Sequence, residues 1–191
     1  MDILSAFGLS ASAGLNAYIP LLVVALLAKF TNLITLKPPW NTLESWWVIG
    51  ALIILSILEF FVDKIPIINH VNDIIQTAIR PIAGAILFAS SATIITNVHP
   101  VVAIIMGLLI AGSVHSVKSL AVRPVITATT IGVGNVPVSL AEEITSTALS
   151  LIAVITPYLI AILLIVSGSL FGWIIWRKFT HTRIRNEDPV V

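Results

Sequence analysis

From Leu149 to Trp176 the chain carries no Asp, Glu, Lys or Arg. That run exceeds the roughly 20 apolar residues that take an α-helix across a bilayer. Hydrocarbon offers no partner to a free amide or carbonyl, so a chain in that medium must close its hydrogen bonds internally, as a helix does. Five more apolar stretches meet the same constraint: Ile3–Ala28, Trp46–Phe61, Pro81–Ile95, Val101–Val117 and Pro124–Leu140. Charged residues make up 10% of the chain and hydrophobic ones 58%, where a soluble domain is about 25% charged. The expectation is an all-α membrane protein with about six transmembrane or re-entrant helices. Residues 1–176 would form one integral membrane domain and 177–191 a basic, polar cytoplasmic tail. The Thr- and Gly-rich stretch Pro124–Leu140 is the candidate for re-entrance.

A net charge of +1 is not the clustered basic surface that binds phosphate backbones, so no nucleic-acid partner is expected. The absence of cysteine removes disulfides, thiolate metal sites and cysteine nucleophiles. Asp2 precedes the first apolar run without a Lys or Arg, unlike the basic start of a cleaved signal peptide. No cofactor is implied, and His70, Asp73 and His115 do not follow a known metal-ligand spacing.

Orientation follows from positive charge, which concentrates on the cytoplasmic side. With six crossings and both termini inside, Lys64, Arg80, Lys118, Arg123, Arg177, Lys178, Arg183 and Arg185 face the cytoplasm, leaving Lys29 and Lys37 outside. Five crossings divide the same residues almost evenly, so six are favoured. Trp40, Trp46 and Trp47 before the second stretch, and Trp173 and Trp176 at the end of the last, suit the headgroup layer.

Two stretches carry helix breakers in their middle. GLSASAGLNAYIPLL contains Gly14, Asn16 and Pro20, while TTIGVGNVPVSLAEE contains Gly132, Gly134, Asn135 and Pro137. Proline removes a backbone donor and glycine admits unusual angles. Inside a membrane such breaks survive where protein or water supplies new partners. Secondary transporters place interrupted helices in matching halves and aim half-helix ends at substrate. The alternative is that Ser10, Ala11, Ser12, Ala13 and Gly14 allow close helix packing and that proline only kinks. Ser139 and Glu142 match the S-x-x-E capping box of a last helix, which gives Glu142 and Glu143 a structural explanation beside ion binding.

Ionisable residues are few and grouped. The run LEFFVDKIPIINHVNDIIQTAIRP places Glu59 and Asp63 four residues apart on one helical face. His70, Asp73, Thr77 and Arg80 form another polar stripe, expected to lie along the interface or to fold inward with an Asp73–Arg80 ion pair. HSVKSLAVRP adds His115, Lys118 and Arg123. Both groups end in Arg-Pro and then enter an apolar stretch, which hints at an internal repeat with proline in the first helical turn. Lone residues such as Lys64 are explained by snorkelling at the interface. Charge inside membrane helices, taken as a set, points to function.

These residues resemble an uncharacterised bacterial family of small multi-spanning membrane proteins, a domain of unknown function. The resemblance rests on GLSASAGLNAYIPLL, ExxxDKIP, HVND, IRP, HSVK…RP and GNVPVS followed by Glu142-Glu143, and extends to about Pro157. It implies that the polar groups and the Gly-Asn-Pro breaks occur together, in a bacterial inner membrane, and it implies no activity. Asp is the family's more familiar residue where Glu143 stands.

The leading functional expectation is a transporter or channel for a small or lipid-linked anion. Asn16, Arg80, His115, Lys118, Arg123 and Asn135 would bind substrate, and Glu59, Asp63, His70 and Asp73 would couple protons or ions. A homo-oligomer would complete a pathway from so few spans. One alternative is an intramembrane lipid-modifying enzyme, since Lys118 to Pro124 is similar to the first element of lipid phosphatases, although two residues short of it and without the later elements. The other is a non-catalytic subunit of a membrane complex.

Overall fold

The computed structural model describes residues 2–63, 66–92, 98–130 and 134–185, without the side chains of 66–71, 92, 127, 135, 171, 174, 175 and 178–185. Among the described residues the fold is all-α. The helices are α1 (Ile3–Leu15), α2 (Tyr18–Phe30), α3 (Trp46–Val62), α4 (Pro66–Ala92), α5 (Pro100–Val117), α6 (Arg123–Thr130), α7 (Asn135–Ile155) and α8 (Pro157–Arg185). A 3-10 turn covers Trp40–Glu44 and a π-helical turn, Lys118–Val122, joins α5 to α6. Three helical stretches among the described residues have the length and apolarity to cross a membrane: Asn72–Ser91, Pro100–Thr130 and Val136–Ile155. Shorter apolar helices are Ile3–Leu15, Tyr18–Phe30, Trp46–Val62 and Pro157–Leu170.

The centre of the bundle is α1, which packs against α4, α5, α7 and α8. Its residues are small: Ser5, Ala6, Gly8, Ser10, Ser12, Ala13 and Gly14 are all buried with Leu9. Small side chains let neighbouring backbones approach closely, the main source of helix adhesion where lipid competes for apolar contact. A Cβ on Gly14 would stand 2.6 Å from the Ala111 carbonyl oxygen, and one on Gly8 would stand 2.7 Å from Ala153 Cβ. Serines then bond across the contacts. Ser12 Oγ donates to the Ser146 carbonyl at 2.7 Å and lies 2.8 Å from Ser150 Oγ, fastening α1 to α7. Ser10 Oγ donates to the Gly84 carbonyl at 3.0 Å, fastening α1 to α4.

Several boundaries differ from the sequence expectation, each for a local reason. The first apolar stretch is divided, but at Asn16 instead of at Gly14 or Pro20: Gly14 is a packing glycine inside α1, and Pro20 lies in the first turn of α2. Pro81 does not open a helix. It sits inside α4, so the polar stripe and the following apolar stretch are one helix folded into the bundle. HSVKSLAVRP is likewise helical throughout, and the wide π turn before Pro124 leaves room for its ring where an α-helix would clash. Of the second group of breakers, Gly134 precedes α7, Asn135 and Pro137 lie in its first turn, and Gly132 lies outside the described residues. Ser139 and Glu142 do not cap a helix, because α7 begins at Asn135 and Pro137 occupies its first turn. The stretch Leu149–Trp176 is split at Thr156, ahead of Pro157, and α8 carries the tail as helix to Arg185.

The outer surface is apolar. Ile54, Leu58 and Phe61 on α3 and Leu164, Ile165 and Leu170 on α8 are exposed, as a lipid-facing surface requires. At one rim Lys29 Nζ donates to the Glu44 carbonyl at 2.7 Å and stands 4.5 Å from the centre of the Trp46 ring. Trp47 is 90% exposed, while Trp40 packs onto the core instead of facing outward.

Among the described residues the most extensive helix contact is between α4 and α5. A Cβ on Gly107 would collide with the Gly84 carbonyl and lie 2.6 Å from Ala85 Cα. Overpacking of this kind costs about 1–3 kcal/mol. Gly107→Leu should therefore lower the thermal midpoint in detergent, whereas Gly50→Ala, with nothing within 4 Å, should leave it nearly unchanged. Equal effects would show that this contact is not tight in solution.

Candidate functional site

The break between α1 and α2 is built by one side chain. Asn16 takes an extended conformation that stops α1, and its Oδ1 accepts from the amides of Tyr18 at 3.1 Å and Ile19 at 3.0 Å. Two amides of the new helix are thereby satisfied without water. On the other side of the break, the Leu15 carbonyl accepts from Lys118 Nζ at 3.0 Å. A helix C-terminus carries partial negative charge, so the ammonium completes it electrostatically as well.

Lys118 is the first member of a continuous buried network. It pairs with Glu142 Oε2 at 2.7 Å, and Arg123 Nη2 reaches the same oxygen at 3.2 Å. Arg123 Nη2 also holds Asp63 Oδ2 at 2.9 Å, while Nη1 takes both oxygens of Asp73 at 2.9 and 2.8 Å. One guanidinium thus draws together α7, the end of α3 and α4. Its planar fork suits several carboxylates at once. Asp63 is completed by Asn72 Nδ2 at 2.9 Å and the Ser139 hydroxyl at 3.3 Å.

The network continues through α4 to Arg80, which is fully buried and donates to Glu59 Oε1 at 2.9 Å. Its other end-nitrogen lies 3.1 Å from His115 Nδ1. Arginine only donates, so Nδ1 accepts and the ring proton sits on Nε2. That proton faces Thr77 Oγ1 at 3.1 Å, and the Thr77 hydroxyl donates onward to the Asp73 carbonyl at 2.8 Å. Each step has one donor and one acceptor, which fixes His115 as the neutral tautomer. The named carboxylates are Glu59, Asp63, Asp73 and Glu142, four negative charges against the three positive ones of Arg80, Lys118 and Arg123.

A cleft of about 520 Å3 borders this network. Val114, Val117, Val122, Ile126 and Val138 line it, with Lys118 and Glu142 among its walls. The lining comes from the end of α1, from α5, the π turn and α6, and from α7, and α7 is joined to the π turn and α6 by the Lys118–Glu142 and Arg123–Glu142 pairs. The side chain of Glu142 is therefore a strut across a mostly apolar opening.

Of the expected site residues, the structure brings together Asn16, Glu59, Asp63, Asp73, Arg80, His115, Lys118 and Arg123. The expected Asp73–Arg80 pair does not form, because α4 turns Asp73 toward Arg123 and Arg80 toward Glu59. The side chains of His70 and Asn135 lie outside the described residues. Glu142, Asn72 and Ser139 belong to the network as well; the sequence offers Glu142 a capping role beside ion binding, Ser139 a capping role and Asn72 none. Their signal was helical spacing alone: Ser139 and Glu142 are three residues apart on α7 and point the same way.

Among the described residues three helical stretches are long and apolar enough to cross a membrane, and a charge network is buried around an interrupted helix, an arrangement compatible with a membrane protein built around an internal polar site. The chain matches the family described as "Domain of unknown function (DUF4126)" over residues 3–177 and belongs to it. Neither curated proteins nor solved structures give a match.

Removing one partner of a buried ion pair costs about 3–5 kcal/mol. Arg123→Gln leaves three carboxylates around a neutral amide and should destabilise the protein on that scale in denaturant unfolding. Asn16→Ala removes the cap of α2 and should cost about 1 kcal/mol. The order of the two is the test: a smaller loss for Arg123→Gln would deny the guanidinium its role as the organiser of the site.

Proposed function

We propose that this protein is a membrane transporter for an anionic amphiphile, a molecule with a phosphate- or carboxylate-type head on an apolar body. The observation that carries this reading is the Lys118–Glu142 pair in the wall of the cleft, 2.7 Å long. The valine and isoleucine lining suits a hydrocarbon tail and offers little to a small hydrated anion. The volume lies within the roughly 300–1,000 Å3 of small-molecule sites. An anionic head that takes Lys118 from Glu142 replaces one counter-charge by another. In doing so it removes a strut between the cleft walls. Substrate binding and opening are then one event, and the differential contact needed to shift a conformational equilibrium is named. The carboxylates Glu59, Asp63 and Asp73 supply sites at which protons couple to this change.

The reading places the chain in a bacterial inner membrane with both termini in the cytoplasm. With Arg80, Lys118 and Arg123 set aside as network residues, Lys64, Arg177, Lys178, Arg183 and Arg185 still oppose Lys29 and Lys37. Transport is preferred to hydrolysis of a lipid phosphate because Lys118 and Arg123 are both held by carboxylates, which repel a phosphate that has not first displaced them.

The test uses phosphatidylcholine proteoliposomes with a trace of fluorescent phosphatidylglycerol, bleached from outside by a membrane-impermeant reductant. Wild-type protein should expose inner-leaflet probe to bleaching. Losing a hydrogen bond to a charged group is worth about 1.5–3 kcal/mol, so Lys118→Gln should slow exposure about tenfold or more. Glu142→Gln, which frees Lys118, should retain it. Wild-type rates equal to those of empty vesicles, or unaffected by Lys118→Gln, would end this reading.

A further inference from the structure

The four carboxylates of the network differ in how their oxygens are satisfied. Asp73 has both on Arg123. Asp63 has one on Asn72 and the other on Arg123 and Ser139. Glu142 is held by Lys118 and Arg123 and is partly accessible. Glu59 is the exception: Oε1 accepts from Arg80, but Oε2 is buried with no hydrogen-bond partner among the described residues. A buried carboxylate oxygen without a donor loses its hydration and receives nothing in return.

A second buried acceptor has the same defect. Gln76 lies one turn before Arg80 on α4, is 1% exposed, and its Oε1 is also unpartnered. Tyr18, in the first turn of α2, hydrogen-bonds the Gln76 side chain and lies within electrostatic reach of Glu59 and Arg80. The groups around Glu59 are thus Tyr18 from α2, Asp63 from the end of α3, Arg80 from α4 and Lys118 from the π turn, with His115 of α5 beyond Arg80. Arg80 Nε and Ser56 Oγ are buried without a partner among the described residues as well, so the guanidinium holds Glu59 through Oε1 alone, and a proton on Oε2 would supply the donor that this oxygen and Gln76 Oε1 do not receive.

We infer that Glu59 Oε2 is the proton-binding site of this protein, with Gln76 Oε1 as the acceptor for the resulting carboxylic O–H. The step is a simple protonation: a hydronium ion gives its proton to the carboxylate and leaves as water, and the carboxylate becomes a neutral acid while Oε1 keeps its contact with Arg80. The named network then carries three negative and three positive charges, a balanced set in a medium that penalises any excess. The inference rests on reading this network as the proton-coupling element of a transporter, and it picks out one carboxylate from that set.

The experiment is infrared difference spectroscopy of the full-length protein in lipid at neutral pH, which detects protonated carboxyl groups directly and requires no transport. The wild type should show a buried carboxylic C=O band that Glu59→Gln removes and that Asp63→Asn and Glu142→Gln retain. Glu59→Gln mimics the neutral acid and places an N–H₂ where the proton sat, so its thermal midpoint should equal or exceed that of wild type. Should that variant not be recovered, Glu59→Asp serves instead, and the band should move to the Asp position. A wild type without the band, as expected if ionised Glu59 takes both Nε and Nη2 of Arg80, overturns the inference. So does a band that persists in Glu59→Gln or stays unmoved in Glu59→Asp. If the band behaves as expected while lipid exposure fails, the proton site stands and the transport reading alone falls.

Discussion

The structure depends on one guanidinium. Arg123 is buried among Asp63, Asp73 and Glu142, and those residues come from the end of α3, from α4 and from α7. Charges brought out of water are costly, and a pairing offsets that cost only when geometry and further hydrogen bonds are good. The Asn72 and Ser139 contacts on Asp63 supply those further bonds. Such a cluster is a weak device for stability and a strong one for registry, because any slip of one helix leaves a charge unpaired. Here it fixes how α3, α4, α6 and α7 meet.

The interruption of the first helix belongs to the same system. An open helix end inside a membrane needs both donors and acceptors satisfied. Asn16 supplies the acceptor for α2, and Lys118 supplies the donor for the Leu15 carbonyl of α1. Since Lys118 also holds Glu142, the break, the ion network and the cleft share one side chain. The small residues before the break serve a separate purpose. They bring α1 close to α4, α5 and α7, and the serines among them replace the adhesion that the hydrophobic effect provides in water.

Much of this could be read from the residues. The long uncharged runs pointed to helices apolar enough for a bilayer, and the helices are there. Glu59 and Asp63 were legible as partners on one face because four residues make about one turn. The first break was visible in its Gly, Asn and Pro content, although Asn16 performs the interruption while Gly14 packs and Pro20 starts the next helix. Less legible was the fate of the Arg-Pro pairs. Proline commonly opens a helix, yet Pro81 lies inside α4, and Pro124 follows a π turn that accommodates it. Capping logic likewise assigned Ser139 and Glu142 a local role, whereas the side chains reach residues far along the chain.

The sequence by itself determined the apolar character of the helices, the helical class and the set of charges that had to find partners, because those follow from composition and from spacing within single helices. The tertiary structure decided which cation meets which carboxylate, that Glu142 spans the cleft, and that Glu59 keeps one oxygen without a donor. Such pairings join residues dozens of positions apart, such as Asp63 and Arg123. They depend on how helices rotate and approach each other, and periodicity along one helix carries no information about that.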